Sequence, residues 1–134
     1  MSEKQAVLFA NEAFYRAFAD GDLDAMEAMW AREAPVACIH PGWNLISGRA
    51  EVMESWRAIL ESANRPAVKN HGAQAFLYGD TAFVICYEAL EEGFLVATNV
   101  FVVENGAWRM VHHQAGPTAP PDLDEPDEAA NVMH

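Results

Sequence analysis

The sequence predicts an α+β domain in which three N-terminal helices cover a curved antiparallel sheet and enclose an interior pocket. Two observations predict it. Apolar residues recur with helical spacing up to residue 66 and alternate with a period of two afterwards. The alternating runs are separated by the turn signals Gly79-Asp80, Glu91-Glu92-Gly93 and Asn105-Gly106.

In the first helix, over residues 5 to 20, Val7, Ala10, Phe14, Ala17 and Phe18 share one face, and Gly21 ends it. Asp22 can cap a second helix, whose inner stripe is Leu23, Met26 and Trp30. "APVACI" reads as a short buried strand stopped by Pro41-Gly42. Ser47 is placed to cap a third helix carrying Val52, Trp56, Ile59 and Leu60 on one face and ending at Arg65-Pro66. Four strands follow in consecutive hairpins: "VKNHGAQAFLY", "TAFVICYEAL", "FLVATNVFVV" and "AWRMVHHQA". A long curved sheet cannot leave its apolar face in water, so the helices should cover it. The result is a cone-shaped barrel with a hollow for a small molecule.

With 134 residues the chain fits one domain. The boundary falls at residue 116, and 117–134 form an acidic, proline-rich tail expected to be extended or disordered. The net charge is −12, and the tail's five acids leave the rest at −7. Nucleic acid and anionic membrane surfaces are therefore disfavoured as partners. No apolar run is long enough to span a bilayer, and "MSEKQAVLFANEAF" does not read as a signal peptide, so a cytoplasmic location is expected. Cys38 and Cys86 sit in apolar runs and read as small buried hydrophobes.

"FYRAFADGDLDAMEAMW" at the start and "GAWRMVHH" at the end resemble the NTF2-like superfamily. "CIHPGWNLISGRAEVMESWRAIL" followed by "WRMVHHQAG" resembles its SnoaL-like branch, near the kinase-association-type members. The similarity covers residues 5 to 116. It implies the NTF2-like cone and a homodimer formed through the outer sheet face. It does not imply one reaction, because the fold carries isomerases, cyclases, dehydratases and assembly domains. Matched to ketosteroid isomerases, the catalytic carboxylate falls on His40, and the catalytic phenol on Phe14, one place from Tyr15. The late carboxylate of SnoaL-type cyclases falls in His112-His113-Gln114. An imidazole would have to replace those acids.

Alternation assigns Trp108, Met110, His112 and Gln114 inward, and His113 outward or toward a dimer mate. His112 is the leading acid–base or anchoring group, since an imidazole titrates near neutral pH. A buried histidine satisfied by a backbone carbonyl is the alternative. His40 is the second polar group, at the pocket mouth, or a residue fixing the turn. Trp43, Trp56, His71, Tyr87, Asn99, Phe101 and Gln114 complete the candidate lining. Trp43 and Trp56 also suit plain packing, Gly72 suggests a bulge that blurs the register of His71, and Asn99 needs a partner from a ligand or a dimer mate. Glu88 is expected opposite Asn99 or Arg109 across an outer-face dimer seam. His40, His71 and His112 lack the spacing of a metal motif, so no metal and no cofactor is expected. The reading is a small apolar or aromatic molecule in the pocket, with cofactor-independent proton transfer if the protein is an enzyme. The alternative is a non-enzymatic oligomerisation or interaction domain.

Overall fold

The computed structural model describes residues 1–122. Helix α1 (Glu3–Asp20) starts at Ser2, whose hydroxyl accepts from the Gln5 amide while the Gln5 side chain accepts from the Ser2 amide. It ends at Gly21, which has a positive φ of 62° and closes the helix through its amide to Ala17 and Phe18. Asp22 caps α2 (Leu23–Met29) by accepting from the Ala25 amide. Two short strands follow, β1 (Ala37–Ile39) and β2 (Ile46–Ser47), then α3 (Arg49–Glu61). The expected serine cap is corrected: Ser47 pairs with Ala37 in β2, and Gly48 takes the cap position with no side-chain bond. Helix α3 also stops earlier than expected, with Ser62 as its C-cap.

Four long strands complete the chain: β3 (Lys69–Tyr78), β4 (Thr81–Leu90), β5 (Gly93–Glu104) and β6 (Ala107–Thr118). They form the expected antiparallel meander. The sheet has six strands in the order β2-β1-β6-β5-β4-β3, and β1 runs parallel to β6. This is a curved, open, mixed sheet with edges at β2 and β3, not a closed barrel. The architecture is the expected α+β cone. Pro117 and Thr118, assigned to the tail from the sequence, pair with Leu95 and Phe94 at the end of β6. The remainder of the expected tail, from residue 123 on, lies outside the described residues.

The core fills the space between helices and sheet. Phe14, Met26, Trp30, Val52, Trp56, Val84, Phe101 and Met110 are completely buried. Phe14 and Phe18 meet Trp56 edge-on at 5.4 and 5.2 Å, a favourable ring arrangement. Two polar ties hold the loop between α2 and β1. The Glu104 carboxylate accepts from the amides of Arg32, Glu33 and Ala34, which lowers its pKa, and the Arg49 guanidinium donates to the carbonyls of Glu27, Trp30 and Ala31. Among the described residues, no helix is long and apolar enough to cross a membrane.

Candidate functional site

A bulge decides which residues of β6 face inward. Phe101 pairs with Met110 but Val100 pairs with His112, so Val111 is an extra residue in β6. The extra residue inverts the alternation. Trp108 and Met110 point inward before it, and His113 and Ala115 after it. The inward assignment of His112 and Gln114 is therefore corrected. Gln114 is exposed, and half-buried His112 donates from Nδ1 to the Ala37 carbonyl at 2.9 Å. His113, assigned outward, is 1% exposed.

Glu88 moves in the same sense. It continues the buried face of β4 after Ala82, Val84 and Cys86, and is 2% exposed. The outer-seam assignment is overturned, because its Oε2 accepts from the Tyr15 hydroxyl at 2.6 Å in the interior. Tyr87 and His71 are paired neighbours on the outer face. The expected bulge at Gly72 is present, with φ +64° and a register shift between His71 and Gln74. Phe101 packs in the core, and Trp56 packs behind the site, edge-on to His40 at 4.8 Å.

The inward groups converge on a cavity of 340 Å³ lined by Phe18, His40, Pro41, Trp43, Ile59, Pro66, Val68, Glu88, Leu90, Glu92, Leu95 and His113. Its walls are mostly apolar, its deep end carries Glu88 and His113, and its mouth carries Glu92 and the 48% exposed Trp43. A groove of similar size, 350 Å³, runs over Ala19, Arg65 and Lys69, but no buried titratable group opens on it. The buried pair of a histidine and a carboxyl group opens on the first cavity. Among the described residues, no group of three His, Cys, Asp or Glu side chains could hold a metal ion.

Hydrogen bonds fix the protons at the deep end. The Asn99 amide nitrogen donates to Asn11 Oδ1 at 2.9 Å and to the Tyr15 oxygen at 3.1 Å. Its carbonyl is thus left as an acceptor, and His113 donates to it from Nδ1 at 2.5 Å. The Nε2 lone pair of neutral His113 is free, 4.0 Å from Glu88 Oε2. Burial, and then the nearby His40 and His112, pushes the His113 pKa down to about 3. Burial raises the pKa of Glu88, and the bond from Tyr15 opposes that rise. Burial, with Cys86 and Glu88 adding to it, holds the Tyr15 phenol well above its usual range, so it stays a donor. The Cys86 thiol, pushed up to about 12 by burial, donates to the same Tyr15 oxygen at 3.2 Å.

His40 is fixed in the same way. The Ser55 hydroxyl donates to the Val52 carbonyl at 2.6 Å, so it accepts from His40 Nε2 at 2.9 Å. His40 is neutral, with a pKa lowered to about 4 by burial, and its Nδ1 lone pair lies 3.9 Å from Cys38 Sγ. Cys38, pushed up to about 12 by burial and Glu88, is a thiol and not a nucleophile. Of the residues chosen from sequence, the structure brings His40 and Trp43 to the cavity and puts Asn99 and Trp56 directly behind it. Sequence reasoning missed Tyr15, Glu88 and Asn11, and turned His113 the wrong way. Asn11 and Tyr15 are one helical repeat apart within the apolar stripe of α1, which was the available signal.

A family model described as SnoaL-like domain matches residues 7–120. The F-box protein SKIP8 of Arabidopsis thaliana is 32% identical over 113 residues, covering 83% of this chain and 49% of that protein. The chain thus spans about half the length of that curated relative. A solved structure from Streptomyces avermitilis, provisionally named a dehydratase of the NTF2-like family, is 32% identical. It superposes with a TM-score of 0.79 over 87% of this chain and 96% of its own. A calcium/calmodulin-dependent protein kinase type II association domain from Thiobacillus denitrificans, also provisionally named, is 36% identical. Its TM-score is 0.72, over 81% of this chain and 92% of its own.

Proposed function

The chain belongs to the SnoaL-like domain family of NTF2-like folds, and from that premise we propose that it binds a small, largely apolar molecule and moves a proton on it without a cofactor. One observation carries the reading. An apolar cavity ends on the free Nε2 of a neutral histidine beside a buried carboxyl group. Glu88, whose pKa burial raises, would take the proton, and His113 Nε2 would accept a hydrogen bond from the same group of the ligand. Asn99 holds the imidazole in the required tautomer. His40 lines the wall with its Nε2 proton held by Ser55 and its Nδ1 beside the Cys38 thiol. The resemblance to a provisionally named dehydratase agrees in kind with such chemistry and names no substrate.

The test is ligand-detected NMR on a fragment library, repeated with Trp43→Ala and His113→Gln. Hits that His113→Gln weakens and that perturb the Glu88 and Leu95 amides support the reading. A library without hits, or hits perturbing only surface residues, would remove it.

A second reading is favoured by a different surface. Phe76, Phe83 and Tyr78 stack on the outer sheet face with centroids 4.9 and 5.8 Å apart, and Phe76 and Tyr78 are exposed. A bare aromatic ladder suits contact with a second copy. We propose that two chains pair through it, as the likeness to an association domain suggests. Sedimentation velocity tests this: Phe76→Asp should convert a dimer to a monomer, and a monomeric wild type would refute it.

A further inference from the structure

The charge of the cavity restricts what can enter it. Its two ionisable acids are Glu88 at the deep end and Glu92 at the mouth, and neither Lys nor Arg contributes to the lining. His113 offers a lone pair, because Asn99 takes up its proton, whereas the His40 Nε2 proton goes to Ser55 and its Nδ1 lies beside the Cys38 thiol. A carboxylate or phosphate inside would meet the acceptor nitrogen of His113 and a carboxyl group, with no donor of opposite charge. A ligand cation would meet the reverse: an acceptor nitrogen and a buried carboxyl group that holds the Tyr15 hydroxyl but has no counter-ion. A buried carboxylate without a counter-ion is costly, and a bound cation relieves that cost.

The walls suit the same ligand. Phe18 and Trp43 present rings to the cavity, and aromatic faces attract ammonium groups. The net charge of −12 draws cations toward the protein at long range.

We infer that the cavity takes a small primary or secondary amine with an apolar or aromatic body, its ammonium group lodged at Glu88 beside His113 and its body against Phe18, Ile59 and Trp43. The inference rests on the ligand-binding reading above and narrows it to one charge class. It excludes organic acids of the same size.

Three compounds that share an indole body separate the charge classes: tryptamine, tryptophol and indole-3-acetate. Calorimetry or NMR titration at pH 7 should give tryptamine the tightest binding and indole-3-acetate none. Glu88→Gln should weaken tryptamine about tenfold and tryptophol much less, since only the amine uses the charge. Glu92→Gln, a surface change at the mouth, should weaken tryptamine about twofold and reduce its salt dependence. Circular dichroism confirms that each variant is folded. Tryptophol or indole-3-acetate binding as tightly as tryptamine would overturn the inference while leaving the pocket as a binding site. Tryptamine binding that ignores both substitutions, or no binding by any of the three, would overturn it as well. The fragment screen judges the pocket separately, so the two failures can be told apart.

Discussion

Replacing Tyr15 by phenylalanine removes one oxygen and three hydrogen bonds. That oxygen donates to Glu88 at 2.6 Å and accepts from Asn99 at 3.1 Å and from the Cys86 thiol at 3.2 Å. The ring is unchanged, so the edge contact with Phe14 at 4.9 Å persists and no cavity opens. The cost is therefore the price of stranded polar groups. A bond to a carboxyl group is worth about 1.5–3 kcal/mol and a neutral amide bond about 1 kcal/mol, while a thiol adds little. Glu88 can shed part of the loss by taking up a proton, so Tyr15→Phe should destabilise by about 2–3 kcal/mol. For a chain of this size that is a fall in Tm of roughly 10 °C. Urea denaturation should show a lower midpoint at unchanged slope. The double mutant with Glu88→Gln should be less destabilised than the sum of the singles, by about 1–2 kcal/mol, because the two groups share a bond. A Tm within about 2 °C of wild type, or strict additivity, would refute the buried network.

Other consequences follow from the same geometry. His40 and His113 have folded pKa values of about 4 and about 3 against an ordinary 6.5, so the unfolded chain binds protons that the folded chain refuses. Their stabilising contribution is complete above pH 6.5 and is lost on acidification, at about 1.4 kcal/mol per pH unit for each histidine. Glu88, raised in the fold, offsets part of this; unfolding free energy measured from pH 7 to 5 should still fall, and His40→Gln should flatten the slope by about one proton. Stability that is level or rises toward pH 5 would contradict the neutral histidines. Glu104→Gln should speed hydrogen exchange at the Arg32, Glu33 and Ala34 amides and leave sheet amides protected. Gly72→Ala forces a side chain into positive φ beside the Tyr87 ring and should cost about 1–2 kcal/mol by thermal denaturation. His112→Ala should cost only about 1 kcal/mol, by losing its bond to Ala37, without changing ligand affinity.

The helices and hairpins were legible in the sequence because each rests on a local rule. The apolar stripe of α1, the Asp22 cap and the Asn105-Gly106 turn all depend on neighbours in the chain. What was hidden depends on distant pairing. The union of β1 with β6 is a parallel contact between segments some 75 positions apart, and no turn marks it. The bulge at Val111 carries no glycine, so alternation read straight through it and exchanged His112 for His113. Glu88 was misplaced for a chemical reason. An acid in a strand usually marks the wet face, yet Ala82, Val84 and Cys86 had already set its side as the dry one. The candidate site lies where local chemistry and the buried face disagree.

The central claim is that His113 is a neutral imidazole with its proton on Nδ1 and a free Nε2 facing the cavity. Long-range proton–nitrogen correlation spectra of histidine-labelled protein at pH 6 measure this directly. The account predicts an unprotonated Nε2 resonance for His113, a proton held on Nδ1, and movement of that Nε2 signal when tryptamine is added. A His113 that is doubly protonated at pH 6, or that carries its proton on Nε2, would contradict it.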